Sequence, residues 1–352
     1  MTTFVRTFIA IFALLSAILV FSIFAGILMN FFEKKAKSNI FSNSYGDPEL
    51  TNKIAVLNLR GPILNIPISD FNFVFSNNLE IIYTSEVKKI LNELKSKKIK
   101  GLIVSINSPG GSVSASHNLF KQFENFKRKN DVKIYFHTSE LIASGAYWVA
   151  LSGNKIYADY GTLVGSIGVK GPDWMYFEDP ISISTGLIGY SIKTKSGIKN
   201  FSNIAGESKD LFNPFRKPTE KEIKDLQQSV NNIYEDFVNL VSKNRKIEKT
   251  FIINDIRAMI YDSKTAEKKF LIDKISTKEE VIEIMANDLN LIDYQVIENK
   301  NYKLNFFDKL LNINFSNDKI KEIKNIQKEN VCKILHFEFS AMIINNNYIP
   351  NC

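Results

Sequence analysis

The chain has 352 residues, 45% of them hydrophobic, so it is long and apolar enough to bury a core and is not disordered. Its formal charge of +8 comes from 45 Lys and Arg against 37 Asp and Glu, and the basic residues are scattered, which disfavours a nucleic-acid partner. The two cysteines lie near the C-terminus without metal-ligand spacing, so the sequence indicates neither a disulfide framework nor a zinc site.

The first element of the chain is a strongly apolar N-terminal segment. No charged residue occurs from Thr7 to Phe32, and the core 8–29 would span about 30 Å as a helix, which is the thickness of a bilayer core. We therefore predict a single transmembrane anchor over 1–32, followed by a polar linker over 33–52. The charges that flank the segment do not decide its orientation.

The body predicted over 53–285 alternates short apolar runs with amphipathic stretches. The runs that predict buried strands are 54–59, 102–106 and 132–137. A capping box formed by Thr219 and Glu222 predicts the start of a long helix. This alternation indicates parallel β-α-β units in an α/β core, with function at the turns from strand to helix. Residues 286–352 form a C-terminal extension to which the sequence assigns no role.

Ser144 is a candidate nucleophile because it lies between a predicted strand and a predicted helix. At a helix N-terminus, unpaired backbone N–H groups and the helix dipole favour negative charge. The same position would suit a serine that only caps the helix. The turn Asn107 to Gly111 follows another apolar strand, and its adjacent glycines would allow backbone N–H groups to face an oxyanion.

The residues alone leave the base for such a serine open. A Ser-His-Asp triad is possible but not favoured, because no motif surrounds any histidine of the chain. The histidines are His117, His137 and His336. A lysine acts as a base when burial lowers its pKa, and the segment 192–200 contains three. These are Lys193, Lys195 and Lys199.

A set of motifs, in their order and spacing, resembles the signal peptide peptidase A family over roughly residues 53–285. The motifs are Asn107-Ser-Pro-Gly-Gly-Ser-Val113, Ala143-Ser-Gly-Ala-Tyr147, Lys155-Ile-Tyr-Ala158, Thr162-Leu-Val-Gly-Ser-Ile-Gly-Val169, Lys195-Ser-Gly-Ile-Lys199, Asn213-Pro-Phe-Arg216, Thr219-Glu-Lys-Glu222, Asn244-Arg245, Tyr261-Asp-Ser-Lys-Thr-Ala266 and Leu271-Ile-Asp273. The resemblance implies a ClpP/crotonase-like α/β fold. It also implies a membrane-bound serine endopeptidase that cleaves signal peptides or other short membrane-derived peptides through a Ser-Lys dyad and an acyl-enzyme.

Carried over to this sequence, the resemblance makes Ser144 the nucleophile and Lys199 the general base. Ser166 would hold the lysine, and Gly111 would be an oxyanion-hole donor. The resemblance implies no metal or cofactor. It also implies a homo-oligomer in which neighbouring protomers could share the dyad. The catalytic body would lie on the extracytoplasmic side of the inner (cytoplasmic) membrane, held by a single-pass anchor.

The sequence departs from the family pattern at several positions. Ala146 stands where the family usually has glycine, and Ser263 and Phe270 stand where it often has glycine. Only Ile198 separates glycine from lysine in the lysine motif, where two residues are usual, so Lys195 is a second candidate for the base.

Three other functions are compatible with the same residues. One is a different ClpP-class membrane protease, which would act on a membrane protein partner. Another is a crotonase-type acyl-CoA enzyme, which shares the fold and needs no serine nucleophile. The third is a membrane scaffold without catalysis.

Overall fold

The structure is a computed structural model of the chain. It describes residues 40–65, 80–174 and 205–299, together with Tyr176, most of the helical stretch 6–24, and short strands at 184–186, 189–191 and 340–342. The chain divides into two compact units, Met1–Ser42 and Asn43–Cys352.

The described part of the first unit is mainly helical, at residues 6–18, 20–21 and 24. Among the described residues, no helix combines the length and the apolar character that crossing a membrane requires. The rest of the predicted anchor 1–32, and residues 33–39 of the predicted linker, lie outside the described residues.

The remainder of the described chain alternates strands and helices. The strands are β1 (Phe41–Tyr45), β2 (Lys53–Arg60), β3 (Ile63–Leu64), β4 (Ile82–Tyr83), β5 (Gly101–Asn107), β6 (Gly110–Ser112), β7 (Lys133–Thr138), β8 (Leu141–Ala143), β9 (Lys155–Ala158), β10 (Leu163–Gly165), β11 (Ser184–Gly186), β12 (Gly189–Ser191), β13 (Ile260–Asp262), β14 (Lys274–Ile275), β15 (Gln295–Asn299) and β16 (Ser340–Met342). The helices are α1 (Thr84–Ser96), α2 (Val113–Asn130), α3 (Gly145–Ala150), α4 (Glu220–Arg245), α5 (Lys249–Phe251), which runs on into a π-helical turn at Ile252–Ile256, α6 (Ser263–Lys268) and α7 (Lys278–Asp288).

The main sheet has seven strands in the spatial order β1-β15-β2-β5-β7-β9-β14. From β15 to β14 all neighbouring strands are parallel. Strand β5 is buried along its whole length, as expected for a continuous apolar run in a parallel sheet that is covered on both faces. The predicted α/β class with parallel β-α-β units is confirmed.

The main sheet extends past both predicted boundaries of the body at residues 53 and 285. Strand β1 belongs to the predicted linker, and β15 belongs to the predicted C-terminal extension. Strand β15 pairs with β2, so residues 295–299 complete the sheet beside the strand that opens the predicted body. Strand β1 lies next to β15 in the sheet. The polar stretch 41–45 obtains its strand structure from β15, because its own residues carry little strand signal.

Two smaller sheets stand at the carboxyl ends of the main strands. One has the order β16-β6-β3-β4, and the other has the order β13-β10-β8. Strand β6 follows β5 after two residues, and β8 follows β7 after two residues. Strands β6 and β8 of the small sheets therefore lead from the ends of β5 and β7 into the turns where the sequence predicts function.

Candidate active site

Ser144 occupies a strained turn between β8 and α3. Its backbone has φ 54° and ψ −120°, a combination that a residue with a side chain rarely adopts. The backbone N–H of Ser144 donates to the backbone oxygen of Gly165 at 2.8 Å, and the backbone oxygen of Ser144 accepts from the N–H of Trp148 at 2.9 Å. The surrounding hydrogen bonds thus maintain a conformation that is unfavourable locally.

The side chain of Ser144 does not cap the helix that it precedes. Within the described residues, its hydroxyl accepts no hydrogen bond from the first turn of α3. By contrast, Ser112 and Thr219 begin α2 and α4 with side chains that do accept such bonds. The interpretation of Ser144 as a simple helix cap is therefore not supported, and its hydroxyl is left for another use.

Helix α3 is fixed rigidly in the core behind Ser144. All six of its residues are buried. The Tyr147 hydroxyl donates to the oxygen of Leu271 at 2.8 Å, and the ring of Trp148 packs on Phe237 of α4 with centroids 4.7 Å apart. These contacts hold the helix, and with it the residue at its start.

Ser166 lies beside Ser144 because β8 and β10 run parallel. Ala143 pairs with Gly165, so the two serines follow paired residues on adjacent strands. Ser166 also has a positive φ of 54°, and its N–H donates to the oxygen of Met259 at 2.8 Å. A Cβ on Gly165, whose φ is 132°, would lie 2.5 Å from that same oxygen. The structure thus brings these two predicted site residues together.

The glycine turn runs alongside the segment that leads to Ser144. Ser108 forms a parallel bridge with Ile142, its N–H donates to the oxygen of Leu141 at 2.8 Å, and its oxygen accepts from Ala143 at 3.2 Å. The Ser108 hydroxyl in turn accepts from the N–H of Gly110, which has φ 99°. Strand β6, which contains Gly111, therefore lies close to α3.

Gly111 is required by packing whatever its role in chemistry. A Cβ at this position would overlap the backbone oxygen of Ile63 in β3, with the Ile63 nitrogen only 2.6 Å away. Backbone atoms of a paired strand have no room to move aside. The role of oxyanion donor is an additional hypothesis for this glycine.

Sequence reasoning gave no role to Asn107, although it is the first residue of the glycine motif. Its Oδ1 accepts from the Thr138 hydroxyl at 2.9 Å and from the N–H groups of Ser139 and Glu140 at 3.1 and 2.9 Å. Its Nδ2 donates to the Ser139 hydroxyl at 3.0 Å. This carboxamide joins the end of β5 to the turn between β7 and β8. The available signal was an asparagine directly after the strand predicted over 102–106.

The histidines do not form a site with Ser144 in the described part of the chain. His137 is buried, with Nε2 3.2 Å from Asp159 Oδ1, and burial lowers the pKa of His137 although Asp159 acts to raise it. His117 is exposed, with its ring edge-on to Trp148 at 6.1 Å. His336 lies outside the described residues. No hydrogen bond between a described histidine and Ser144 is present, and no group of His, Cys, Asp or Glu in this part of the chain is placed to hold a metal ion.

The lysine candidates Lys193, Lys195 and Lys199 also lie outside the described residues.

A cluster of charged side chains lies between residue 205 and the start of α4. Arg216 donates to Asp210 and to Glu222, and its guanidinium stacks 5.0 Å from the centroid of Trp174. The hydrogen bonds that the Glu222 carboxylate accepts from Arg216 and from the Thr219 N–H hold the pKa of Glu222 well below its ordinary value.

The departures from the family pattern have local physical accounts. Phe270 has φ 61°, a left-handed conformation in which a glycine would be unstrained, and its side chain is exposed. Its oxygen accepts from Arg245 Nε at 2.8 Å. Ser263 is buried, and its hydroxyl accepts from the N–H of Gly161 at 3.0 Å. Ala146 is fully buried in α3, where its small side chain is accommodated.

In a comparison with known protein families, residues 126–292 match Peptidase family S49. The chain is 32% identical over 219 residues to a protein of Enterococcus faecium named "Putative signal peptide peptidase SppA", and the match covers 62% of this chain and 59% of that protein. It is 27% identical over 233 residues to "Protease 4" of Haemophilus influenzae, covering 66% of this chain and 34% of that protein. The resemblance to signal peptide peptidase A and its relatives is thus confirmed.

The chain spans less than two thirds of the length of either of these relatives. Among solved structures, a mutant of the 1510-N membrane-bound stomatin-specific protease aligns with a TM-score of 0.41 and 12% identity, covering 70% of this chain and 97% of that one.

Proposed function

We propose that this chain is a membrane-anchored serine endopeptidase of ClpP/crotonase-like fold that cleaves signal peptides or other short membrane-derived peptides. The observation that carries the proposal is the conformation of Ser144. Its hydroxyl is not used by the helix, its backbone is strained, and it stands beside Ser166 and the glycine turn. Strained residues of this kind cluster at functional sites. The similarity of residues 126–292 to a peptidase family supports the reaction class.

In the proposed reaction, the uncharged amine of Lys199 accepts the proton of the Ser144 hydroxyl while the oxygen attacks the peptide carbonyl carbon. The N–H of Gly111 stabilises the negative charge on the carbonyl oxygen. The C–N bond then breaks, Lys199 returns the proton to the leaving amine, and an ester forms on Ser144. Lys199 next takes a proton from water, whose oxygen attacks the ester carbonyl. The bond between that carbon and the Ser144 oxygen then breaks, Lys199 returns the proton to the Ser144 oxygen, and the acid is released. Ser166 would hold the amine, and a water-poor site favours its uncharged form.

The decisive experiment compares three full-length variants: Ser144→Ala, Lys199→Ala and Lys195→Ala. Each is assayed for cleavage of an internally quenched apolar peptide and for labelling by a fluorophosphonate probe. We expect Ser144→Ala and Lys199→Ala to lose activity by at least about 10³-fold and Lys195→Ala to retain it. Loss with Lys195→Ala alone would transfer the role of base to Lys195.

Ser152→Ala is the matched control for the loss of a buried serine hydroxyl. Ser152 follows α3, is as buried as Ser144, and donates to the oxygen of Val149 at 2.7 Å. It should keep wild-type labelling, because its hydroxyl is used within the helix end. If Ser144→Ala labels as strongly as Ser152→Ala, another residue reacts with the probe and the proposal is wrong. If neither the wild type nor Ser152→Ala is labelled, a crotonase-type acyl-CoA enzyme or a membrane scaffold becomes the better interpretation.

The proposal also includes a homo-oligomer in which the serine and the lysine come from neighbouring protomers. Mixing Ser144→Ala with Lys199→Ala before assembly tests this arrangement. If the dyad is shared, some mixed interfaces contain an intact pair and activity returns. If activity stays absent in the mixture while mixed oligomers form, both residues act within one chain.

Membrane attachment in the proposal rests on the uncharged segment from Thr7 to Phe32. We place the catalytic body on the extracytoplasmic side of the inner membrane, where it would meet peptides left after export. Comparing the rate of cleavage of released signal peptides with that of intact membrane proteins would distinguish the proposed substrates from a membrane protein partner.

A further inference from the structure

Arg216 fastens two acidic side chains together at the start of α4. Its guanidinium donates to both carboxylate oxygens of Asp210 at 2.7 Å. It also donates to both carboxylate oxygens of Glu222, at 2.7 and 2.9 Å. Glu222 in turn accepts from the backbone N–H of Thr219, the residue that caps α4. Because two-pronged pairs of this kind fix geometry as well as charge, Asp210 is held against the first turn of the helix.

Trp174 brings an earlier part of the chain to the same place. The Arg216 guanidinium lies 5.0 Å from the centroid of the Trp174 ring. Trp174 Nε1 donates to the backbone oxygen of Asn213 at 3.2 Å, and the Trp174 ring contacts the Phe212 ring with centroids 5.4 Å apart. The chain therefore leaves at residue 174 and returns, after residue 205, to the point from which it left. We call this group of residues the neck cluster: Trp174, Asp210, Phe212, Asn213, Arg216 and Glu222.

All three lysines of the segment 192–200 lie between the two ends that the neck cluster joins. These lysines are Lys193, Lys195 and Lys199. A chain segment whose ends are held at one point has already lost much of the freedom that it would otherwise lose when one of its side chains reaches a partner. The rate of a reaction between two groups depends steeply on how exactly they are placed beforehand. The neck cluster is therefore suited to placing an amine.

The neck cluster lies well away from the contacts that hold Ser144. Helix α3, which Ser144 precedes, packs on α4 through the rings of Trp148 and Phe237. Phe237 is about four helical turns beyond Glu222, which corresponds to about 22 Å along the axis of α4. A change in the neck cluster should thus act on the lysine segment before it acts on the serine.

We propose that Arg216 and Trp174 are positioning residues for the general base, because the neck cluster fixes both ends of the segment that supplies the lysine. This inference rests on the proposed peptidase function. It holds whether the base is Lys199 or Lys195, and whether the amine serves the Ser144 of its own chain or that of a neighbour.

Opening the neck cluster should change the proton affinity of the base. A lysine that is no longer held in a water-poor site is hydrated, and water stabilises its charged form, so its pKa rises. Less uncharged amine is then present at neutral pH, and the lost rate returns as the pH is raised. A variant with a weakened fold or a displaced serine would instead lose the same factor at every pH at which it is folded.

Two full-length variants open the neck cluster in different ways. Arg216→Gln removes a charge and both two-pronged pairs, whereas Trp174→Leu removes a ring and an N–H donor without changing the charge. For both, we expect the rising limb of kcat/KM against pH to move up by about one unit, with the rate below that limb about tenfold lower. A limb that does not move in Trp174→Leu would overturn the proposal, because an effect of Arg216→Gln alone would be one of charge.

Arg245→Gln is the matched control, at the other end of α4. Arg245 also holds two groups, the backbone oxygen of Phe270 and the carboxylate of Asp273, both at 2.8 Å. Its loss should lower the urea midpoint of unfolding and leave the rising limb where it is in the wild type. A limb that moves equally in Arg245→Gln would show that any lost ion pair on this helix has the same effect, and the neck cluster would have no special role.

A second measurement separates this inference from the proposed reaction. Lysines of the Ser144→Ala protein, with and without Arg216→Gln or Trp174→Leu, are acetylated by trace acetic anhydride at a series of pH values and quantified by mass spectrometry. We expect the pKa of Lys199 or Lys195 to rise by about one unit in both neck variants, while Lys98, far from the neck cluster in sequence, stays unchanged. Unchanged reactivity at both Lys199 and Lys195 would refute the positioning role. Because no turnover is involved, a rise would support that role even if the peptidase assay fails.

Discussion

Replacing Asn107 by alanine tests whether the spacing between the glycine turn and Ser144 is set by one side chain. The carboxamide oxygen accepts three hydrogen bonds, one of them from the fully buried hydroxyl of Thr138. Leaving that hydroxyl unsatisfied costs about 1–3 kcal/mol. The N–H groups of Ser139 and Glu140 belong to exposed residues and would be hydrated, at about 0.5 kcal/mol each.

The sum predicts that Asn107→Ala lowers the free energy of unfolding by about 2–4 kcal/mol. Catalysis should fall further than stability requires, since the end of β5 would lose its side-chain bonds to the turn before β8, and only the backbone bonds of Ser108 would still hold the glycine turn to β8. A displacement of about 1 Å at a reacting atom costs about 10²-fold in rate. We therefore expect kcat to fall by about that factor, with KM changing much less.

The assay combines urea unfolding with kcat, KM and the rate of fluorophosphonate labelling, measured where both proteins are fully folded. Ser139→Ala is the control, because it removes only the partner of Asn107 Nδ2, and it should stay within about 0.5 kcal/mol of wild type. Asn107→Asp keeps an acceptor oxygen and should recover part of the labelling rate. If Asn107→Ala loses the predicted stability but is labelled at the wild-type rate, the carboxamide supports the fold and does not position the nucleophile.

Two further predictions concern stability. Ser144→Gly should abolish labelling yet raise the free energy of unfolding by about 1 kcal/mol, since glycine adopts φ 54° without strain; a less stable variant in urea would contradict the strain argument. The pKa of Glu222 is lowered in the folded chain from an ordinary 4.5, so its carboxylate stabilises the fold above that pH, and the contribution is lost as pH falls toward the folded-state value. Unfolding followed between pH 6 and pH 3 should therefore be less pH-dependent for Glu222→Gln than for wild type, and identical slopes would exclude the contribution.

The sequence by itself determined most of the local elements. The apolar run 102–106 became β5, and the capping box of Thr219 and Glu222 begins α4 with both of its hydrogen bonds formed. These features could be predicted because their causes lie within a few residues of chain: continuous apolar character for a covered parallel strand, and a side chain that reaches its own helix. Ser144 was found in the same way, from its place between a strand and a helix.

The tertiary structure decided what these elements bring together. The pairing of Ala143 with Gly165 puts Ser166 next to Ser144, the Asn107 carboxamide reaches the turn after β7, and Ile63 forces glycine at position 111. Strands β15 and β16 find partners more than 200 residues earlier in the chain. Pairing between distant strands depends on which backbone edges are left free once the sheet has formed, and that information is absent from any local pattern of residues.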